Sequence, residues 1–171
     1  MLELYLLTDS RVRRKKKTMS EKSSNGWPAS KDKAEINIKH FPVEGTKIRL
    51  QCNEICGPIL AAFAAEFHVN VEPLEEGAFD DWSYAYRAIR GETTGLSNHS
   101  SGTAIDLNAA KHPLGKENTF TAEQRKILDI LCKKYGLRGG YTYKTRKDDM
   151  HFEIVETPEQ VKARVIKMKL K

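Results

Sequence analysis

No stretch of this chain is apolar for long enough to cross a bilayer, which takes about 20 residues as a helix. The opening run "MLELYLL" is broken by Glu3, and its basic cluster "RVRRKKK" comes after it. A secretory signal puts the positive charges first and needs a longer apolar core, so no signal peptide is read here. Cysteine is scarce. Cys52, Cys56 and Cys132 cannot all pair within one chain, which argues against a disulfide framework and for synthesis in a reducing compartment. Cys52 and Cys56 have a spacing that suits one helical face, but no second close Cys/His pair accompanies them. They are read as core thiols. The HExxH and thiolate-rich zinc patterns and the G-x-S-x-G elbow are also absent.

Most of the chain also lacks a charge surplus. The formal net charge is +6, yet residues 1–31 hold eight Lys/Arg against three Asp/Glu, a net of +5, and the other 140 residues hold 21 against 20, a net of +1. A nucleic-acid partner needs a basic domain, not a basic end, and is not expected. A second cluster, Lys162, Arg164, Lys167, Lys169 and Lys171, closes the chain without an acid. Both ends are read as solvated tails able to touch an anionic surface weakly, such as a cell-wall polymer.

The 171 residues suit one domain with a sizeable core. Residues 1–25 are polar, charged and serine-rich, and read as a disordered basic tail. Met19 begins a more ordinary opening, so residues 1–18 are read as an upstream extension; an intact mass matching a start at Met1 would refute that. Residues 26–171 form the domain, with Trp27 of "NGWPAS" as an anchor onto it. "TKIRLQC" (46–52) alternates like a strand. A helix follows to about His68, with Pro58 in its first turns and Ile55, Ile59, Phe63 and Phe67 as its buried stripe. "DWSYAYRAIRG" (81–91) and "TAIDLNA" (103–109) read as strands. Thr121 and Gln124 make a capping-box pattern for a helix ending at Gly136, with Ile127, Leu128, Ile130, Leu131 and Tyr135 facing the core. "LRGGYTYKTRKDD" reads as an irregular connector, "MHFEIV" (150–155) as a strand, and Thr157-Pro158 as the start of a last helix. This order has no βαβ regularity. It predicts an α+β domain with a small, mostly antiparallel sheet flanked by helices.

Chemistry concentrates in two segments. In "MHFEIV", Met150, Phe152 and Ile154 share one face of the strand, while His151 and Glu153 share the other. In "TAIDLNA", Ile105 and Leu107 lie opposite Asp106. Strands placed side by side with their apolar faces together send Asp106 and His151 to the same side. His99 precedes Asp106 by an odd spacing, so a bend at Ser100-Ser101-Gly102 is required, and Gly102 is free to take a positive φ. Two imidazoles and a carboxylate are the ligand set of a catalytic zinc site, which keeps one position for water. Asp148 stands close by as a base. Arg87, with Arg90 as the alternative, would stabilise developing negative charge. A serine nucleophile at Ser97, Ser100 or Ser101 beside His99 is a minor alternative. His40 and His112 are read in loops, and His68 at a helix end, away from the ligand set.

"SNHSSGTAID" resembles the S-x-H-x-x-G-x-A-x-D signature of zinc D-alanyl-D-alanine carboxypeptidases and phage L-alanyl-D-glutamate endopeptidases, a group that includes the hedgehog signalling domain. Ser97, His99, Gly102, Ala104 and Asp106 match it. "DDMHFE" resembles the second motif of that group, and "YAYR", "GLRGGY" and, more weakly, "NGWPAS" are also similar. The resemblance implies a zinc peptidase domain of hedgehog/DD-peptidase-like fold over 26–171. It implies His99, Asp106 and His151 as zinc ligands, Asp148 as catalytic acid/base and Arg87 as the carbonyl-polarising arginine. Ser97 and Glu153 would support the ligands. Asp149 departs from the usual pattern, and its offset should turn it away from the zinc. The implied substrate is a peptidoglycan stem peptide, cut by a monomeric phage endolysin. Such an enzyme would be made in the host cytoplasm and reach the wall after membrane permeabilisation. A D,D-carboxypeptidase, or a non-catalytic zinc-containing binding domain, are the alternatives.

Overall fold

Three phenylalanines mark the centre of the molecule. Phe63 and Phe67 come from the helix α1 (Gly57–Asn70) and Phe152 from a strand nearly a hundred residues later, and all three are fully buried. The Phe63 and Phe152 rings lie 4.8 Å apart and the Phe67 and Phe152 rings 5.8 Å. Aromatic pairs at such separations add to the gain from area burial. The computed structural model describes residues 21–74 and 83–170. Residues 1–20 fall outside it, so the reading of 1–18 as an extension lies outside the described residues, as do Asp81 and Trp82.

Every strand ladder in the described residues is antiparallel. Glu21–Lys22 (β1) pairs with Pro28–Ala29 (β2), and Ile38–Pro42 (β3) with Arg49–Asn53 (β4), which leads into α1. Ala104–Asp106 (β5) is followed by the helix α2 (Ala122–Tyr135), the strands Leu137–Gly140 (β6) and Asp148–Ile154 (β7), and the helix α3 (Pro158–Met168). The strands β5, β7 and β6 form one sheet with β7 in the middle. The α+β class with small antiparallel sheets and packed helices is as expected. No helix among the described residues is long and apolar enough to cross a membrane.

Helix boundaries follow local chemistry. Pro58 sits in the first turn of α1, where its missing N–H costs nothing. Thr121 accepts from Gln124 N, and the Gln124 side chain accepts from Thr121 N, a reciprocal cap that Gly136 matches at the other end with a left-handed φ of 69°. The same box recurs at Thr157 and Gln160 on α3. Thr121→Ala is expected to lower stability by about 1 kcal/mol, read as a lower urea midpoint at unchanged slope. The C-terminal cations Lys162, Arg164 and Lys167 ride on α3 and are not a tail: Val161 is buried, and Arg164 is paired with Glu156.

Four further expectations change. Residues 21–25 are not disordered. Besides the β1–β2 pairing, Asn25 Nδ2 donates to Thr103 Oγ1 at 2.8 Å and to Ile154 O at 3.1 Å, which ties the arm to the residue before β5 and to β7. Residues 83–87 run extended without a strand ladder. Their backbone bonds instead to β4 and to the turn at 98–101, with Tyr84 N donating to Gln51 O and Ala85 N to His99 O. "LRGG", read as connector, is the edge strand β6. Ile130 is 66% exposed, because Leu128, Leu131, Cys132 and Tyr135 already fill the buried side of α2. Trp27 anchors as expected: it is buried, and its Nε1–H donates to Glu156 O at 3.0 Å. All three cysteines are free and buried, as expected of core thiols, and burial raises each thiol's pKa.

Candidate metal centre and active-site cleft

The β5–β7 register places Asp106 directly opposite His151. Cross-strand partners on one face stand close enough for their side chains to touch, and His151 Nδ1 lies 2.8 Å from Asp106 Oδ1. His99 reaches the same point from the 3-10 turn Asn98–Ser101, which Gly102 closes with φ 67°. Its Nε2 lies 3.0 Å from Asp106 Oδ1 and 3.1 Å from His151 Nδ1. All three side chains are buried.

The outer hydrogen bonds decide which ring atoms face inward. His99 Nδ1 is 2.6 Å from the Ser83 carbonyl oxygen, which only accepts, so Nδ1 carries the proton and Nε2 presents a lone pair. His151 Nε2 is 3.3 Å from the Glu153 carboxylate, so Nε2 donates and Nδ1 faces the cluster. Two ring nitrogens and a carboxylate oxygen thus converge on one point. Burial disfavours the His151 imidazolium, but hydrogen bonds to Asp106 and Glu153 outweigh it and push its pKa up to about 10. Burial also opposes the Asp106 charge, yet the two histidines hold its carboxyl well below the usual carboxylate range. Ligands of a tetrahedral zinc at ~2.0 Å stand roughly 3.3 Å apart, so opening the cluster by a few tenths of an ångström would admit the ion. His99, Asp106 and His151 are therefore residues that could hold a metal ion, and its binding would displace a proton.

In front of this cluster lies a cleft of about 330 Å³ whose lining includes Arg87, Arg90, Arg138, Tyr143, Asp148 and His151. Asp148 stands where β7 begins. Burial, and then the Asp106 charge, raise its pKa to about 6, against the pull of His151, His99 and Arg90. Its Oδ1 is buried without a hydrogen-bond partner. Arg87 is half-buried beside the cleft. Its guanidinium pKa is lowered by burial and by Arg90, and drawn back by Asp106 and Asp148. Its Nε is likewise buried and unpartnered. Arg90 lines the same cleft but is exposed.

Asp149 points away, as its offset requires. It is fully buried, and its Oδ2 accepts from Thr119 N at 3.0 Å and Thr119 Oγ1 at 2.7 Å. Ser97 caps the 3-10 turn by accepting from His99 N at 3.4 Å. Glu153 accepts from His151, and its Oε1 accepts from Arg138 Nε and Tyr143 OH, both at 2.8 Å. The serine-nucleophile reading is not supported. The Ser100 and Ser101 hydroxyls donate to the backbone oxygens of Arg87 and Asn98, and the His99 ring is committed elsewhere. His112 bonds Thr119 and Glu72, and His68 accepts from Leu74 N, both outside the cluster. His40 is exposed on β3 and not in a loop. Sequence reasoning missed the Ser83 carbonyl, Asn98, Arg138 and Tyr143. A carbonyl has no side-chain signature, but Asn98 lies inside the quoted motif, and Arg138 and Tyr143 lie in the segment taken for a connector.

Residues 90–154 match the family model for D-alanyl-D-alanine carboxypeptidase. The matched stretch is similar to a peptidase family, and it contains His99, Asp106, Asp148, His151 and Glu153. Arg87 and the arm at 21–29 lie outside it. No curated protein and no solved structure matches the chain.

Proposed function

We propose that the chain is a zinc-dependent peptidase acting on peptidoglycan stem peptides, of the L-alanyl-D-glutamate endopeptidase type used by phage endolysins. The observation that carries this reading is the convergence of His99 Nε2, Asp106 Oδ1 and His151 Nδ1 behind a cleft lined by Asp148 and Arg87. A zinc ion held by the three ligands would supply Lewis acidity and a water acidified toward neutrality. Asp148 takes the proton from the attacking water and passes it to the leaving amine. Its raised pKa suits that exchange, since a carboxylate titrating near 6 is a stronger base toward the attacking water than an ordinary one, and its acid form is still acidic enough to protonate a leaving amine. Arg87 lies close enough to feel Asp106 and Asp148, and it donates to the scissile carbonyl oxygen as negative charge develops there. Arg87 is preferred over Arg90 because it is the more buried, and a drier cation acts more strongly.

The description of the matched family supports a second reading, a D,D-carboxypeptidase. Metal content, together with mass spectrometry of purified peptidoglycan after digestion, separates the two. The endopeptidase reading expects a new free amine on glutamate; released D-alanine instead would establish the carboxypeptidase. Intact peptidoglycan with a zinc-loaded protein would leave only the non-catalytic binding domain.

A further inference from the structure

The hydrogen bonds around Glu153 extend beyond the matched segment. Asn98 is buried beside the ligand His99, but its side chain turns away from the cluster. Its Nδ2 donates to Glu153 Oε2, the same oxygen that accepts from His151 Nε2. Its Oδ1 accepts from Ser24 Oγ at 2.8 Å and from Asn25 N at 2.9 Å. Only one orientation of the amide satisfies all three neighbours, because flipping it would set an oxygen against the Glu153 carboxylate. Ser24 itself lines the cleft.

The arm that supplies Ser24 and Asn25 is firmly held. Ser24 N donates to Leu96 O at 3.0 Å, Ser23 Oγ to Ser101 Oγ at 2.8 Å, and Asn25 Nδ2 to Thr103 and Ile154. Its contacts therefore reach the turn that carries His99 and the strands that carry Asp106 and His151.

We infer that Asn98 is a positioning residue through which the N-terminal arm, residues 21–29, holds Glu153 and thereby the His151 ring, so that the arm belongs to the active centre. The chain of contacts is Ser24 and Asn25 to Asn98, Asn98 to Glu153, and Glu153 to His151. Each link fixes the next. Glu153, pinned by Asn98 on one oxygen and by Arg138 and Tyr143 on the other, can only receive the His151 Nε2 proton, and Nδ1 is left for the metal. Outer partners of metal-bound histidines typically govern affinity by about 10- to 100-fold.

This inference rests on the metal-site reading above, and its test is metal affinity measured apart from peptidase activity. Zinc dissociation constants of the full chain and its variants are measured by competition with a chromophoric chelator. Asn98→Ala is expected to weaken zinc by about 10-fold. Ser24→Ala, on the exposed side of the arm, is expected to weaken it by about 3-fold, the loss of one hydrogen bond. In a Glu153→Ala background, Asn98→Ala should cost at most about 2-fold, because its effect runs through that carboxylate. Wild-type affinity in both single variants would overturn the inference, as would an Asn98→Ala loss that persists undiminished without Glu153. A wild-type chain that binds no zinc would instead remove the metal site itself, and this inference with it.

Discussion

Asp148→Asn is expected to lower kcat on peptidoglycan by about a thousandfold while zinc stays bound, since a lost general acid/base costs 10² to 10⁴ as an order of magnitude, about the middle of which applies here. Asparagine keeps the shape and cannot exchange the proton. The pH profile sharpens the test. In the proposed mechanism the carboxylate is the working form, so activity should rise with pH as Asp148 loses its proton and be flat on that limb above it. Burial and Asp106 place the midpoint near about 6 in the metal-free protein. A bound divalent cation favours the carboxylate, so the limb in the loaded enzyme lies at or below that value. The variant should show no such limb. Unfolding does not explain the loss. Folding raises the Asp148 pKa, so this group costs stability as pH rises from its ordinary range through about 6, and the cost is gone only below that range. Removing the charge should leave stability at neutral pH unchanged or higher. Near-wild-type kcat in the variant, or an unchanged ascending limb, would exclude Asp148 as the base.

The difference between what could be read in advance and what could not lies in the range of the forces. Asp106 and His151 were legible because strand alternation is a local rule and apolar residues on one face of each strand leave the other face for chemistry. His99 was legible through Gly102, since only a tight reversal reconciles its odd spacing with Asp106. The ordering of residues 21–25 was not legible. Their composition is that of a solvated tail, and they are held by single hydrogen bonds to Leu96, Asn98, Thr103 and Ile154, none of which leaves a periodic trace. β6 was missed for a related reason. Its "LRGG" has no alternation, and it is a strand because β7 needs a second neighbour. Ile130 shows the limit of apolarity as a guide, since a helix buries one stripe and its remaining apolar residues face water.

Gly102→Ala should cost about 3 kcal/mol of stability and, on the proposed metal site, bring a large loss of zinc affinity. Two costs combine. A side chain at φ 67° is strained by about 1–2 kcal/mol. The new Cβ would also stand 2.4 Å from Ile38 Cδ1, 2.7 Å from Asn53 N and 3.2 Å from Cys52 C. Ile38 has a rotamer to yield, but Asn53 N and Cys52 C are backbone of β4, and such overpacking costs about 1–3 kcal/mol. The hydrogen bond from Asn53 N to Gly102 O, 2.9 Å long, fixes that close approach. Because Gly102 N also donates to His99 O at 3.0 Å, pushing the turn off β4 moves His99, one of the residues that could hold the metal. Gly45→Ala is the control. Gly45 has φ 80°, and an added Cβ would meet nothing closer than His68 Cδ2 at 3.8 Å, so it should show the conformational strain alone, about 1 kcal/mol. Denaturant midpoints for the two variants, with zinc titrations of each, separate strain from crowding. Equal losses would mean that the β3–β4 hairpin does not set the position of the turn that bears His99.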